Sequence, residues 1–205
     1  MLNSARILMV TAVAVPAIAN ASLIQNGSFE ASNMGDNLDW TLVEAGDTAI
    51  TGWTSIGNGV DIIGNLWEAS DGNVSLDINA YYAGGGVEQA FSTVVGQSYQ
   101  VTFDMSANMY LGPDEKVMLV SAAGDSQEFS FDYVGFESSS QDPKWVQMVW
   151  DFTAIDTTTV LSFSGVNAGA AGAALDNVVV TQTVPAPGAL AGLGLAGLVA
   201  GRRRR

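Results

Sequence analysis

The chain has 205 residues, enough for one domain of ordinary size together with targeting segments. It contains neither cysteine nor histidine, which excludes disulfide scaffolds, thiol nucleophiles, Ser-His-Asp hydrolases and histidine-based zinc enzymes. All 21 acidic residues lie between Glu30 and Asp176 but only two of the seven basic ones do, so this stretch carries about −19 charges and is not expected to bind nucleic acid.

The first 21 residues have the pattern of a secretory signal peptide. Arg6 supplies a positive charge, residues 7–15 form an apolar run, and small residues follow at Ala17, Ala19 and Ala21. Because the apolar run is too short to span a bilayer and a proline follows it, a membrane helix is the weaker interpretation. We therefore predict an N-terminal signal helix and export, with cleavage after Ala21 or, as the alternative, after Ala19.

Residues 22–183 are predicted to form one all-β domain. Short runs in which apolar and polar residues alternate are separated by Gly, Asn, Asp, Ser and Pro, and this period of two indicates half-buried strands. The predicted strands are residues 87–92, 98–106, 116–122, 127–132, 145–152, 158–164 and 174–182. Such a series without a long helical pattern predicts an antiparallel β-sandwich.

The C-terminal segment, residues 184–205, has three parts. Two prolines, Pro185 and Pro187, precede residues 189–201, which contain only Ala, Leu, Gly and Val, and four arginines end the chain. As a helix, the 18 residues before the arginines would be about 27 Å long, close to the ~30 Å hydrocarbon core of a bilayer. The segment predicts a C-terminal transmembrane helix, with the arginines on the cytoplasmic side and the domain outside.

The motif Pro185-Ala186-Pro187, the short apolar helix and the terminal arginines together resemble the PEP-CTERM sorting signal of exported proteins in Gram-negative bacteria. Ala186 stands where that family has a glutamate. The resemblance implies that an exosortase, a membrane protease-transpeptidase, removes the tail after transient anchoring in the inner membrane. It further implies delivery to the cell surface or to an exopolysaccharide matrix, with this chain as the substrate of that enzyme.

The segments LIQNGSFE, residues 23–30, and ALDNVVV, residues 174–180, resemble the first and last strands of galactose-binding-like jelly rolls, a superfamily that includes many carbohydrate-binding modules. Motifs between them, such as Gly52-Trp53 and Ser75-Leu76-Asp77, resemble the domain called choice-of-anchor C, which is related to the DUF642 group. The resemblance implies an antiparallel jelly-roll β-sandwich of the galactose-binding-like type.

A structural calcium ion is the cofactor that this resemblance implies. In related jelly rolls it lies where the first and last strands meet, held partly by a carboxylate from each. The matching positions are Glu30 and Asp176, and carboxylates suit this cation. The alternative is that Glu30 ends a strand in solvent and that Asp176 forms a turn or a hydrogen bond with the backbone.

Tyr81 and Tyr82 are the predicted ligand-binding residues. Adjacent tyrosines before a glycine-rich run cannot both point into one face of a sheet, and an exposed ring can stack on a sugar. A packed loop is the alternative. Trp53, Trp67 and Trp150 lie in or beside strands and are predicted to pack in the core.

Together, these features predict an exported, non-enzymatic surface or matrix protein that binds polysaccharide. A structural matrix protein without a specific ligand is the first alternative. The second is a secreted glycan hydrolase, since a pair of carboxylates needs no histidine.

Overall fold

The computed structural model describes residues 21–34, 39–81 and 84–183. No part of these ranges forms an apolar helix of membrane-spanning length. The predicted signal peptide up to residue 20 and the predicted sorting signal, with Pro185, Ala186 and Pro187, lie outside the described residues.

The described residues form two antiparallel β-sheets. The strands are β1 Trp40–Val43, β2 Thr54–Gly57, β3 Val60–Ile63, β4 Ser75–Asp77, β5 Gly85–Ser92, β6 Ser98–Ala107, β7 Glu115–Ala122, β8 Asp125–Asp132, β9 Val146–Thr153, β10 Thr158–Gly165 and β11 Ala173–Gln182. One sheet has the order β1-β3-β4-β11-β6-β9 and the other has the order β2-β5-β10-β7-β8. The predicted antiparallel β-sandwich is therefore confirmed.

All seven predicted strands are present as β5 to β11, and their ends lie within two residues of the predicted ones. Strand β6 shows why the alternation was informative, because its residues from Tyr99 to Met105 alternately enter the core and face outward. Strands β1 to β4 were not predicted as strands from the alternation, since each has only three or four residues.

The core fills the space between the sheets. Phe103 packs edge-on against Phe129 and Phe163, with ring centroids 5.1 and 5.2 Å apart. Trp53 and Trp150 are buried in the same cluster, as predicted. The largest apolar side chains of both sheets thus form one continuous core.

A loop of residues 64–74 folds back from β3 over the outer face of the six-stranded sheet. Trp67 packs there against Ile63 and Ala174 in a second, smaller cluster. Its indole N–H donates to the Ser75 hydroxyl at 3.0 Å. The loop therefore covers part of a sheet face that alternation alone assigns to solvent.

Candidate functional site

Three distant segments meet at residues 70–74 of this loop. The N-terminal segment lies against β11, where the Val178 amide donates to the Gly27 carbonyl at 2.9 Å. A β-bulge shifts the register of β11 after Asp176, and Asn177 adopts a positive φ of 49°. The bulge and the N-terminal segment bring Asp176 and Glu30 to the same loop.

Asp176 holds the first half of the loop. Its carboxylate is fully buried, and Oδ2 accepts hydrogen bonds from the amides of Ser70 and Asp71 at 2.8 and 2.9 Å. Oδ1 accepts from the Asn177 amide at 2.6 Å. Burial raises the pKa of Asp176 to about 7, although these amides act in the opposite direction.

Glu30 holds the second half. Its Oε1 accepts hydrogen bonds from the amides of Asn73 and Val74, both at 2.7 Å. Gly72 has a φ of +74°, and a Cβ there would overlap Glu30 Oε1. A glycine is therefore required both by the backbone conformation and by the close approach of the carboxylate.

The structure brings the predicted calcium ligands to one loop, but it does not show a cation. Asp176 accepts backbone hydrogen bonds, as the alternative interpretation expected. Within the described residues, no three acidic side chains are grouped so that they could hold a metal ion. A calcium ion at Glu30 and Asp176 would need main-chain carbonyl and water oxygens to complete its usual six to eight ligands, so the site remains a prediction.

Asp104 also contacts the loop, and the sequence analysis missed it. Its Oδ2 accepts from the Ser70 hydroxyl at 2.5 Å and from the Asn177 side-chain amide at 3.0 Å. Alternation along β6 places Asp104 on the outer face of the sheet, which is correct. No sequence signal showed that a loop covers that face.

A second carboxylate pair, Asp61 and Asp77, lies on the outer face of adjacent strands β3 and β4. Asp77 is fully buried, and its Oδ1 accepts from the amides of Asn79 and Gly172 at 3.0 Å. Asp61 Oδ1 is buried without a hydrogen-bond partner in the described part of the chain. Burial, followed by the charge of Asp77, raises the pKa of Asp61 to about 7, and burial raises that of Asp77 to about 6.

A cavity of about 530 Å³ opens beside the loop, between residues 64–73 and residues 140–141. The side chains of Asn65, Glu68, Asn73 and Gln141 line it, and none of the four makes a hydrogen bond to another described residue. The Trp145 indole N–H donates to the Glu68 carbonyl at 2.9 Å and fixes the outer part of the loop. The cavity thus presents unpaired amide and carboxylate groups on a fixed backbone.

The predicted tyrosines lie elsewhere. Tyr81 is 56% exposed in the connection between β4 and β5 and does not line this cavity. Tyr82 lies outside the described residues. Ligand binding by the pair therefore remains a prediction.

Two kinds of known protein are similar to this chain. A segment of halomucin from Haloquadratum walsbyi is 31% identical over 167 residues, which is 79% of this chain. The chain spans only 2% of halomucin's length.

Among solved structures, an arabinose-bound α-L-arabinofuranosidase matches 79% of this chain with 26% of its own, at 14% identity and a TM-score of 0.52, a likeness of fold alone. A family 35 carbohydrate-binding module from Clostridium thermocellum is 12% identical, with coverage of 71% of this chain and 99% of its own and a TM-score of 0.48. A xylan-binding domain from Paenibacillus barcinonensis is 22% identical, with coverage of 76% and 100% and a TM-score of 0.43.

One family model covers most of the β-sandwich. It is described as "Protein of unknown function (DUF642)" and matches residues 22–181. The chain therefore belongs to the DUF642 family.

Proposed function

We propose that this protein is a non-catalytic polysaccharide-binding protein and that the cavity beside residues 70–74 holds the sugar. The observation that carries the proposal is the set of unpaired polar side chains of Asn65, Glu68, Asn73 and Gln141. Amide and carboxylate groups can donate to and accept from sugar hydroxyls. The volume of about 530 Å³ is within the range of small-ligand sites.

Three features of the acidic residues support binding without hydrolysis. Hydrolysis of a glycosidic bond normally needs two carboxyl groups on either side of that bond. Glu68 is the sole acidic residue among those that line the cavity in the described part of the chain. Asp77 and Asp176, whose pKa values are raised, are fully buried and cannot reach a substrate in the cavity.

The proposed location is outside the cell, with membrane anchoring through the C-terminal segment before an exosortase removes it. The signal-like first 21 residues and the three-part order of residues 184–205 support this proposal. The similarity to a segment of halomucin is in keeping with a surface location.

Affinity electrophoresis tests the sugar site. Purified protein is run through gels that contain xylan, β-1,4-galactan or alginate, and migration is compared with that in a plain gel. We expect at least one polysaccharide to retard the protein and the double variant E68Q/Q141A to lose most of that retardation. The control Q127A/E128Q changes the same residue types at exposed positions of β8 and should migrate like the unchanged protein.

Each other outcome separates the alternatives. Retardation that survives in E68Q/Q141A would remove the assignment to this cavity. No retardation by any polysaccharide would favour a structural matrix protein. Release of reducing sugar would show a hydrolase.

We also propose that calcium binds at Glu30 and Asp176 and stabilises the loop. The buried Asp176 carboxylate has no cationic side chain among its hydrogen-bond partners, and a cation would compensate its charge. A ligand present at 100 times its Kd stabilises the folded state by about 2.7 kcal/mol. Thermal unfolding in 5 mM calcium should therefore occur several degrees above that in EDTA, a difference that E30Q should abolish and E128Q should retain.

A further inference from the structure

One end of the β-sandwich carries exposed apolar side chains. The connection of residues 93–97 presents Val94 and Val95, which are 58% and 57% exposed, and the connection of residues 154–157 presents Ile155, which is 69% exposed. The two connections are joined by backbone hydrogen bonds between Gly96 and Ala154. These three side chains, called the apolar end here, therefore lie on adjoining loops.

The chain leaves the domain at the apolar end. The Thr183 amide and hydroxyl both donate to the Ser98 carbonyl, at 2.9 and 3.0 Å. Ser98 follows the loop of Val94 and Val95 directly. The last described residue is thus fixed beside the exposed valines.

The sequence after Thr183 limits how far this end can be from a membrane. Five residues, 184–188, separate Thr183 from the predicted apolar span, and two of them are proline. Proline-rich segments extend about 3.1 Å per residue, so the separation is at most about 16 Å.

Charge favours the same orientation. The connection of residues 93–97 contains no charged residue, and that of 154–157 contains only Asp156. The connection of residues 133–145 at the opposite end contains Glu137, Asp142 and Lys144. In a domain with about −19 charges, an almost uncharged apolar end loses the least solvation when it approaches lipid.

We propose that the apolar end lies against the lipid bilayer surface while the chain is anchored, with Val94, Val95 and Ile155 at the boundary between headgroups and acyl chains. The proposal rests on the proposed membrane anchoring. Apolar side chains at that boundary add binding energy in proportion to their buried area. This contact would fix the orientation of the domain and would turn its opposite end away from the membrane.

Single labelled cysteines test the proposal, because the chain has no cysteine of its own. The variants V95C and V134C are matched, since both valines are 57% exposed and Val134 follows β8 at the opposite end. Each full chain carries an environment-sensitive fluorophore and is reconstituted into phosphatidylcholine vesicles that contain nitroxide lipid. Flotation on a density gradient shows which chains are anchored.

We expect both labelled chains to float and the V95C probe to be quenched at least twofold more than the V134C probe. Equal quenching in floating chains would overturn the orientation but leave the anchoring intact. Chains that fail to float would overturn the anchoring and the orientation together. A V95C signal that depends on protein concentration instead of vesicles would show contact between two copies and would also overturn the proposal.

Discussion

At the scale of single residues, Gly72 is where the loop and the Glu30 carboxylate constrain each other. Its φ of +74° is unfavourable for a residue with a side chain, and Glu30 Oε1 occupies the space of a Cβ. Gly46 has a similar φ of +83° but open space around it. The pair separates the backbone cost from the cost of displacing Glu30.

We predict that G46A lowers the free energy of unfolding by about 1 kcal/mol and that G72A lowers it by about 2–3 kcal/mol. Urea unfolding with a fluorescence readout measures both changes. In an E30A background, the cost of G72A should fall to that of G46A, because the overlapping atoms are gone. Equal costs of the two substitutions in the unchanged protein would contradict the contact.

Asp61 determines a second residue-scale prediction, for protein without calcium. Asp61, Asp77 and Asp176 have folded-state pKa values of about 7, 6 and 7, all above the ordinary 3.8. The folded state therefore binds more protons than the unfolded state between about pH 4 and pH 7, and the free energy of unfolding should increase as the pH falls from 8 to 5. Removal of one charge from the Asp61–Asp77 pair should reduce this dependence.

The variant D61N should raise Tm at pH 8 by roughly 2–4 °C, which corresponds to about 1 kcal/mol, and should change it little at pH 5. Differential scanning calorimetry in EDTA from pH 5 to pH 8 measures the effect. E128Q removes a charge at an exposed position and serves as the control. A Tm gain of D61N that is the same at both pH values would contradict a titrating pair.

At the scale of elements, Lys116 joins two connections at one end of the sandwich. The side chain is fully buried, and Nζ donates to the carbonyls of Leu111 and Ala171 at 2.6 and 2.9 Å. Burial lowers the pKa of Lys116, while the nearby Asp77 and Asp114 carboxylates raise it. The lysine therefore compensates a buried negative charge and holds the connection after β6 to the one before β11.

We predict that K116M lowers the free energy of unfolding by about 2–4 kcal/mol, because two carbonyls lose their donor and Asp77 loses a positive neighbour. The chain's other lysine is the control. Lys144 forms an exposed ion pair with Asp142, so K144M should cost less than about 1 kcal/mol. Chemical unfolding of both variants measures the difference, and similar losses would contradict a structural role of Lys116.

The sequence could predict elements whose pattern is local. Strands β5 to β11 have eight or ten residues each, and alternation revealed all of them. Strand β4 has three residues that are all buried, so it shows no alternation. The meeting of Glu30 and Asp176 followed from family resemblance, whereas the burial of Asp61, Asp77 and Asp104 depends on long-range packing that no local pattern encodes.

At the scale of the whole molecule, the excess of acidic residues dominates. Most acidic side chains in the described ranges are exposed, and those ranges contain a single ion pair, Lys144–Asp142. Like charges on a compact surface repel one another and destabilise the folded state. Salt reduces the range of this repulsion from about 10 Å at 0.1 M to about 3 Å at 1 M.

We therefore predict that Tm rises by several degrees between 0.05 and 1 M NaCl. Salt can also strengthen apolar burial, so the slope alone does not identify charge as the cause. The variant E44Q/E115Q/E128Q/E137Q removes four exposed charges and changes no hydrogen bond of the described residues. It should have a higher Tm than the unchanged protein at 0.05 M and a smaller increase at 1 M; parallel increases in the two proteins would attribute the effect to apolar burial instead of charge repulsion.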